Sequence, residues 1–174
     1  MKLSDGLNLI SHKTITVTHP TQWADLGCGT GFFTQVLSTL LANGSTIYAI
    51  DTVVSALRKV KVADGITLKT FPLDFINNVW PFAALDGIMM ANALHYVKDK
   101  DRFIEKMKQH LSADGQLLIV EYDLTDANPW VPYPISFSAL QQLCLQHSFL
   151  SIKKIGEMPS AFRRANLYSA VTTM

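Results

Sequence analysis

Trp23-Ala24-Asp25-Leu26-Gly27-Cys28-Gly29-Thr30-Gly31 decides how the rest of this chain is read. Trp23 to Leu26 is short and mostly apolar, as a buried parallel strand is. Glycines then alternate at positions 27, 29 and 31. Beyond them, Phe32, Phe33, Val36, Leu37, Leu40 and Leu41 fall on one helical face. The stretch therefore reads strand, glycine turn, helix. Glycine lets a turn take positive φ and leaves no Cβ between loop and ligand. The start of the helix offers unpaired N–H groups. A polar cofactor can lie there against bare backbone.

The spacing is Gly-x-Gly-x-Gly, whereas the dinucleotide fingerprint places its third glycine one residue later. That place is Phe32, a side chain expected to crowd a pyrophosphate. A second strand, Thr46 to Ile50, ends at Asp51, 20 residues after Gly31. A carboxylate at the end of a second strand can accept both hydroxyls of a ribose. Asp25, the three glycines and Asp51 together resemble the first two motifs of the Rossmann-like (class I) S-adenosylmethionine-dependent methyltransferases. That resemblance implies a doubly wound α/β fold, a mostly parallel seven-stranded sheet with an antiparallel last strand and helices on both faces. It implies S-adenosylmethionine as cofactor and S-adenosylhomocysteine as product.

The bulk properties bound the rest. The chain has 174 residues, which predicts a single domain, residues 1–174, with 1–22 as a short lead-in. Net charge is +1, so nothing points to a nucleic-acid or membrane field. The two cysteines, Cys28 and Cys144, lack metal-ligand spacing and make no disulfide framework. The first residues lack the apolar core of a signal peptide. No apolar run approaches the ~18 residues that span a bilayer. The expectation is a soluble cytoplasmic protein, monomeric or weakly self-associating, with no nucleic-acid or membrane partner and no metal.

In the lead-in, Leu3, Leu7 and Ile10 can form an apolar helical stripe, and His12 and His19 read as exposed linker residues. The first helix is expected to stop at Asn43-Gly44. A second helix is expected over residues 52–62, with Val53, Val54, Leu57 and Val60 inward. Strand three covers about Ile66 to Phe71 and strand four Leu85 to Met90. An amphipathic helix follows over residues 99–110, then a turn at residues 112–115 and strand five at residues 116–120. Three prolines within residues 129–134 stiffen the next segment. Ser138 has the form of a cap for a helix running to about His147. Phe149 to Ile155 and Asn166 to Thr172 close the sheet.

Carried onto this sequence, the family resemblance assigns cofactor contacts to Asp25, Gly27, Cys28, Gly29, Gly31, Asp51, Thr52, Asp74, Phe75 and Asn92. In it, the acid at Asp74 receives the adenine amino group and Phe75 lies near the ring. Asp74 equally suits a turn or helix-cap carboxylate. The resemblance puts Asn92 nearest the cofactor, at the end of strand four. His95 is the one titratable side chain close after that strand. It reads either as a catalytic base or as a histidine packed on the following helix. Trp130 and Tyr133 in the proline segment can wall an acceptor pocket, and Arg163 can pair with an anionic group on the acceptor. Asn92 is not followed by the prolines and tyrosine that the family uses for amino groups of bases and glutamine. A small-molecule acceptor is therefore expected. Two other readings stay open: a non-catalytic cofactor-binding subunit of a larger complex, and a nicotinamide-dependent oxidoreductase.

Overall fold

β1 (Gln22–Leu26) lies inside the sheet because Trp23, Ala24 and Leu26 leave no exposed apolar face. It pairs in parallel with β2 (Thr46–Asp51) on one side and β4 (Leu85–Ala91) on the other. In the computed structural model, which describes residues 1–160 and 165–174, seven strands run in the order β3-β2-β1-β4-β5-β7-β6. β3 is Thr67–Pro72, β5 Leu111–Tyr122, β6 Ser151–Pro159 and β7 Asn166–Thr173. β7 is antiparallel to both neighbours, so it alone runs against the sheet. This is the doubly wound, mostly parallel sheet that the sequence implies.

Alternation along the strands divides the core into two layers. Ile88, Met90, Leu117 and Ile119 meet α4 (Lys100–His110) and α5 (Phe137–Gln146) on one face. Trp23, Ile47, Met89 and Leu118 meet α1 (Leu3–Ile10) and α2 (Phe32–Ser38) on the other. Gly87 makes room for the Trp23 indole, since a Cβ there would sit 2.4 Å from the ring. The 1–22 segment is thus more than a lead-in. Leu9, Ile10 and Ile15 are buried, and the Ser169 hydroxyl of β7 donates to the Leu9 carbonyl. The buried side of α1 is Gly6, Leu9 and Ile10, while Leu3 is exposed. His12 is half-buried against the Thr14 hydroxyl at 2.9 Å, not an exposed linker residue; His19 is exposed as expected.

Several boundaries differ from the sequence reading, each for a local reason. α2 stops at Ser38, not at Asn43, because the Ser38 and Thr39 hydroxyls bond back to the carbonyls of Gln35 and Val36. The second helix shrinks to α3 (Val54–Leu57). Val53 and Val54 are exposed, and only Leu57 and Val60 turn inward. The chain must bend there, because the Val60 backbone packs directly on Gly31. The expected turn at 112–115 is a bulged start to β5, with Leu85 paired to Leu111 and Gly87 to Gln116. The cap of α5 is Ser136, not Ser138, and its hydroxyl accepts from Ala139 N at 3.3 Å. β6 begins two residues late, at Ser151, and runs on to Pro159.

Candidate active site

Parallel strands put their carboxyl ends on one edge, and that edge is where ligands bind in open α/β sheets. β1, β2, β3, β4 and β5 all end there, and β7 begins there. The glycine loop, Asp51, Asp74, Asn92 and Glu121 therefore share it.

Gly27, Gly29 and Gly31 all have positive φ, at 76°, 55° and 85°. Their surroundings differ. A Cβ on Gly27 would come within 2.8 Å of Ala93 Cβ and 3.2 Å of the Phe75 ring, and one on Gly31 within 2.9 Å of Val60 Cα. A Cβ on Gly29 would meet nothing within 4 Å. Gly27 and Gly31 pack the loop onto the protein, and Gly29 presents bare backbone to open space. Phe32 packs its ring against Gly6 of α1.

Asp51 holds the loop from the end of β2. Its carboxylate accepts from Gly29 N at 2.9 Å and from Val53 N at 2.8 Å. Two carboxylate oxygens offer about four acceptor positions, so capacity remains for hydroxyls. Thr52 beside it is exposed. Asp25 is buried under the loop, and the Thr34 hydroxyl donates to its Oδ2 at 2.6 Å. Its Oδ1 is buried with no partner among the described residues. Burial raises the Asp25 pKa to about 7; the Thr34 bond works against that shift and the Asp51 charge adds to it. Cys28 is half-buried in the loop, and burial, then the charges of Asp25 and Asp51, push its thiol up.

Asp74 caps its own turn. Oδ1 accepts from Ile76 N at 2.8 Å and Asn77 N at 3.3 Å, and Oδ2 from Asn77 Nδ2 at 2.7 Å. Partial burial works to raise its pKa, but these bonds and the Lys106 charge outweigh it and hold the carboxyl below its usual range. Phe75 lies beside Gly27 and edge-on to Phe103, with ring centroids 5.8 Å apart.

Beyond β4 the chemistry changes. Asn92 takes φ 54°, a left-handed conformation that asparagine tolerates, and its buried Oδ1 has no partner among the described residues. A one-turn 3₁₀ helix, Leu94–Tyr96, then turns His95 inward to 2% exposure. Glu121, at the end of β5, accepts from His95 Nδ1 at 2.8 Å and from the His95 backbone N–H at 3.1 Å. The segment after β5 returns over this pair, and Tyr133 N donates to the His95 carbonyl at 3.0 Å.

Asn92 and His95 open into a cavity of about 620 Å³. Its walls are Tyr96, Tyr122, Leu124 and Val131, with Asn128 and Trp130 above and Ser160 and Ala165 at the β6–β7 end. The volume suits a small molecule, for which roughly 300–1,000 Å³ is usual. Trp130 reaches this cavity as the sequence suggests. It is 83% exposed, at the tip of a turn in which Asn128 Oδ1 accepts from Trp130 N at 3.0 Å and Val131 N at 3.1 Å. Tyr133 does not line the cavity. Its ring lies 5.8 Å from Lys100 Nζ, which donates to the Tyr133 carbonyl at 2.8 Å. Arg163 lies outside the described residues, although the flanking Ser160 and Ala165 do reach the cavity. Glu121 is the site residue to which sequence reasoning gave no role. Its signal was its place at the end of a central strand.

Residues 24–117, more than half of the chain, match a family model described as a methyltransferase domain. The chain belongs to the methyltransferase domain family. A malonyl-[acyl-carrier protein] O-methyltransferase of Bacillus cereus is 27% identical over 117 residues, covering 67% of this chain and 43% of that protein. The chain thus spans less than half the length of this curated relative. A SAM-dependent methyltransferase from Aquifex aeolicus superposes with a TM-score of 0.66 at 16% identity, covering 99% of this chain and 98% of that one. A 1,6-didemethyltoxoflavin-N1-methyltransferase from Burkholderia thailandensis, with 1,6-didemethyltoxoflavin and S-adenosylhomocysteine bound, gives 0.67 at 16% identity, covering 89% and 71%. At such identities the likeness is one of fold. The glycine loop of the methyltransferase domain falls inside the matched stretch, whereas Glu121 and Trp130 fall beyond it.

Proposed function

We propose that this protein is an S-adenosylmethionine-dependent methyltransferase that acts on a small molecule and releases S-adenosylhomocysteine. The observation that carries the reading is the open backbone over Gly29, tied to Asp51 at the strand-end edge onto which the Asn92–His95 cavity also opens. The residues present fit the cofactor. By the family resemblance Asp51 and Thr52 would meet the ribose hydroxyls, and Asp74 and Phe75 the adenine. Asp25 and Asn92 each keep a buried oxygen in need of a donor, which suits a cofactor bearing an ammonium group. When bound, S-adenosylmethionine supplies an electrophilic methyl group on a sulfonium.

The chain's own work is then positional. The glycine loop and Asp51 fix the cofactor against backbone, and Asn92 lines the cavity. Trp130 and the turn at Asn128 cover the acceptor and keep water out. A subunit that only held the cofactor would have no use for an oriented imidazole in an adjoining cavity. A nicotinamide oxidoreductase would call for a glycine where Phe32 stands. The reading further takes the chain as a single cytoplasmic domain, monomeric or weakly self-associating, with Arg163 at the acceptor; the net charge of +1 supports a partner other than nucleic acid.

Calorimetry with S-adenosylhomocysteine and with a nicotinamide dinucleotide tests the cofactor, and labelled methyl transfer to a metabolite library tests the activity. Tight binding of the first ligand and little of the second is expected. Comparable affinity for the dinucleotide would sink the proposal.

A further inference from the structure

His95 is held more tightly than packing alone requires. Glu121 grips it twice, at Nδ1 and at its backbone N–H, and Tyr133 N bonds its carbonyl. A carboxylate only accepts hydrogen bonds, so Nδ1 carries a proton, and in the neutral imidazole the lone pair is on Nε2. Nε2 makes no hydrogen bond to any described residue, and the ring lines the cavity. The groups facing the pair are Tyr96 on the 3₁₀ turn, Tyr122 on β5, Tyr168 on β7 and Lys100 on α4. Burial and then the Glu121 charge raise both Tyr122 and Tyr168, so neither competes as a base. Burial lowers Lys100, and the Glu121 charge opposes that shift.

We propose that His95 Nε2 is the general base for the acceptor, that Glu121 is its positioning residue, and that the acceptor is a flat apolar molecule bearing a weakly acidic, phenol-like hydroxyl. The inference rests on the methyltransferase reading. A base serves only an acceptor that still holds its proton at working pH. A carboxylic acid has already lost its proton, whereas a phenol has not. Tyr96, Tyr122 and Trp130 supply aromatic walls, and Leu124 and Val131 supply apolar ones. In the step, the acceptor O–H proton passes to Nε2. The acceptor oxygen bonds to the donated methyl carbon as the carbon–sulfur bond breaks, its electron pair staying on the sulfur as a neutral thioether. The imidazolium then gives its proton to water.

The test starts without turnover, using 4-nitrophenol, whose ionised form absorbs at longer wavelength. Wild-type protein should shift the bound probe toward the phenolate, with or without S-adenosylhomocysteine. His95→Gln, which keeps an amide to bond Glu121, should abolish that shift, and Glu121→Gln should weaken it. With labelled cofactor and a panel of phenols, His95→Gln should lower kcat/KM by about a hundredfold or more, while affinity for S-adenosylhomocysteine stays within about twofold. Glu121→Gln should lower kcat while acceptor KM and S-adenosylhomocysteine affinity stay unchanged, a split that a merely structural glutamate would not give. Bound probe with unshifted absorbance, wild-type turnover of phenols by His95→Gln, or efficient methylation of carboxylic acids indifferent to His95 would each overturn the assignment. If the probe ionises while S-adenosylhomocysteine fails to bind, the methyltransferase reading falls and the base stands.

Discussion

At the ends of β1 and β2 the backbone itself makes the site, whereas at the ends of β4 and β5 side chains make it. In the first region three left-handed glycines and a carboxylate bonded to main-chain N–H groups define the surface. Almost any side chain there would block it or distort it. In the second region Asn92, His95 and Trp130 face a cavity whose other walls are ordinary core and surface residues, and buried Glu121 bonds His95. Backbone recognition suits a ligand that never changes, because it tolerates no substitution. Side-chain recognition suits a ligand that differs between relatives. Under the proposed function the first region serves the cofactor and the second the acceptor, and variants in each should fail in different ways.

The largest effect should come from Gly31→Ala. A left-handed alanine costs about 1–2 kcal/mol, and the new methyl would sit 2.9 Å from Val60 Cα, which cannot swing aside. Overpacking of that kind adds about 1–3 kcal/mol. Thermal unfolding should show a clear loss of stability together with lost cofactor binding. Gly29→Ala carries the same backbone strain but meets open space, so it should weaken cofactor binding with a much smaller fall in Tm. Equal stability losses in the two variants would mean that Gly29 is structural too, and the comparison would lose its footing.

Asp51→Ala comes next. It removes charge-assisted hydrogen bonds worth roughly 1.5–3 kcal/mol, or about ten- to a hundredfold in cofactor affinity. Acceptor KM, measured at saturating cofactor, should hardly move. Unchanged affinity by calorimetry would take Asp51 out of the site.

Trp130→Ala addresses the other region. The side chain is 83% exposed, so the fold loses little. A lost aromatic wall is worth about 1 kcal/mol, or roughly a fivefold rise in acceptor KM. Cofactor affinity should stay the same. Unaltered acceptor kinetics would show that the 128–131 turn does not cover the acceptor.

How far the sequence could be read follows the same division. The glycine loop and Asp51 were legible because their meaning is local: a strand end, a turn needing positive φ, and a fixed distance to the next strand. The central strands were legible because buried parallel strands advertise themselves as apolar runs. The His95–Glu121 pair was not, since it joins residues 26 apart through β4–β5 pairing, which spacing does not encode. Tyr133 looked equivalent to Trp130, but Lys100 claims it from α4. The shortness of α3 was hidden as well: its cause, Val60 packed on Gly31, is a tertiary contact between segments that read independently. The α5 cap was misplaced by two residues because Ser136 and Ser138 offer the same chemistry.

The smallest effect lies away from both regions, where α4 and the end of α5 meet. His147 places Nδ1 2.5 Å from Glu105 and Nε2 3.0 Å from Asp101. Lys108 Nζ donates to the His147 carbonyl at 2.6 Å. Hydrogen bonds donated by its ring to Glu105 and Asp101 raise the His147 pKa above its ordinary 6.5, and burial opposes them. A pKa raised by folding means that the folded state holds the proton more firmly than the unfolded state. The stabilisation is therefore complete below pH 6.5 and is lost as pH rises through the raised value. Both carboxylates are more than half exposed, so solvent and salt screen the cluster and its worth is small. His147→Gln should lower Tm slightly at acid pH and not at alkaline pH, with the difference shrinking as salt is added. Cofactor affinity and acceptor KM should be untouched at every pH. A Tm deficit that persists at alkaline pH would assign the contribution of His147 to its packing instead of its charge. A change in either binding constant would mean that the α4–α5 junction is coupled to the site, and that the two regions are not as separate as their construction implies.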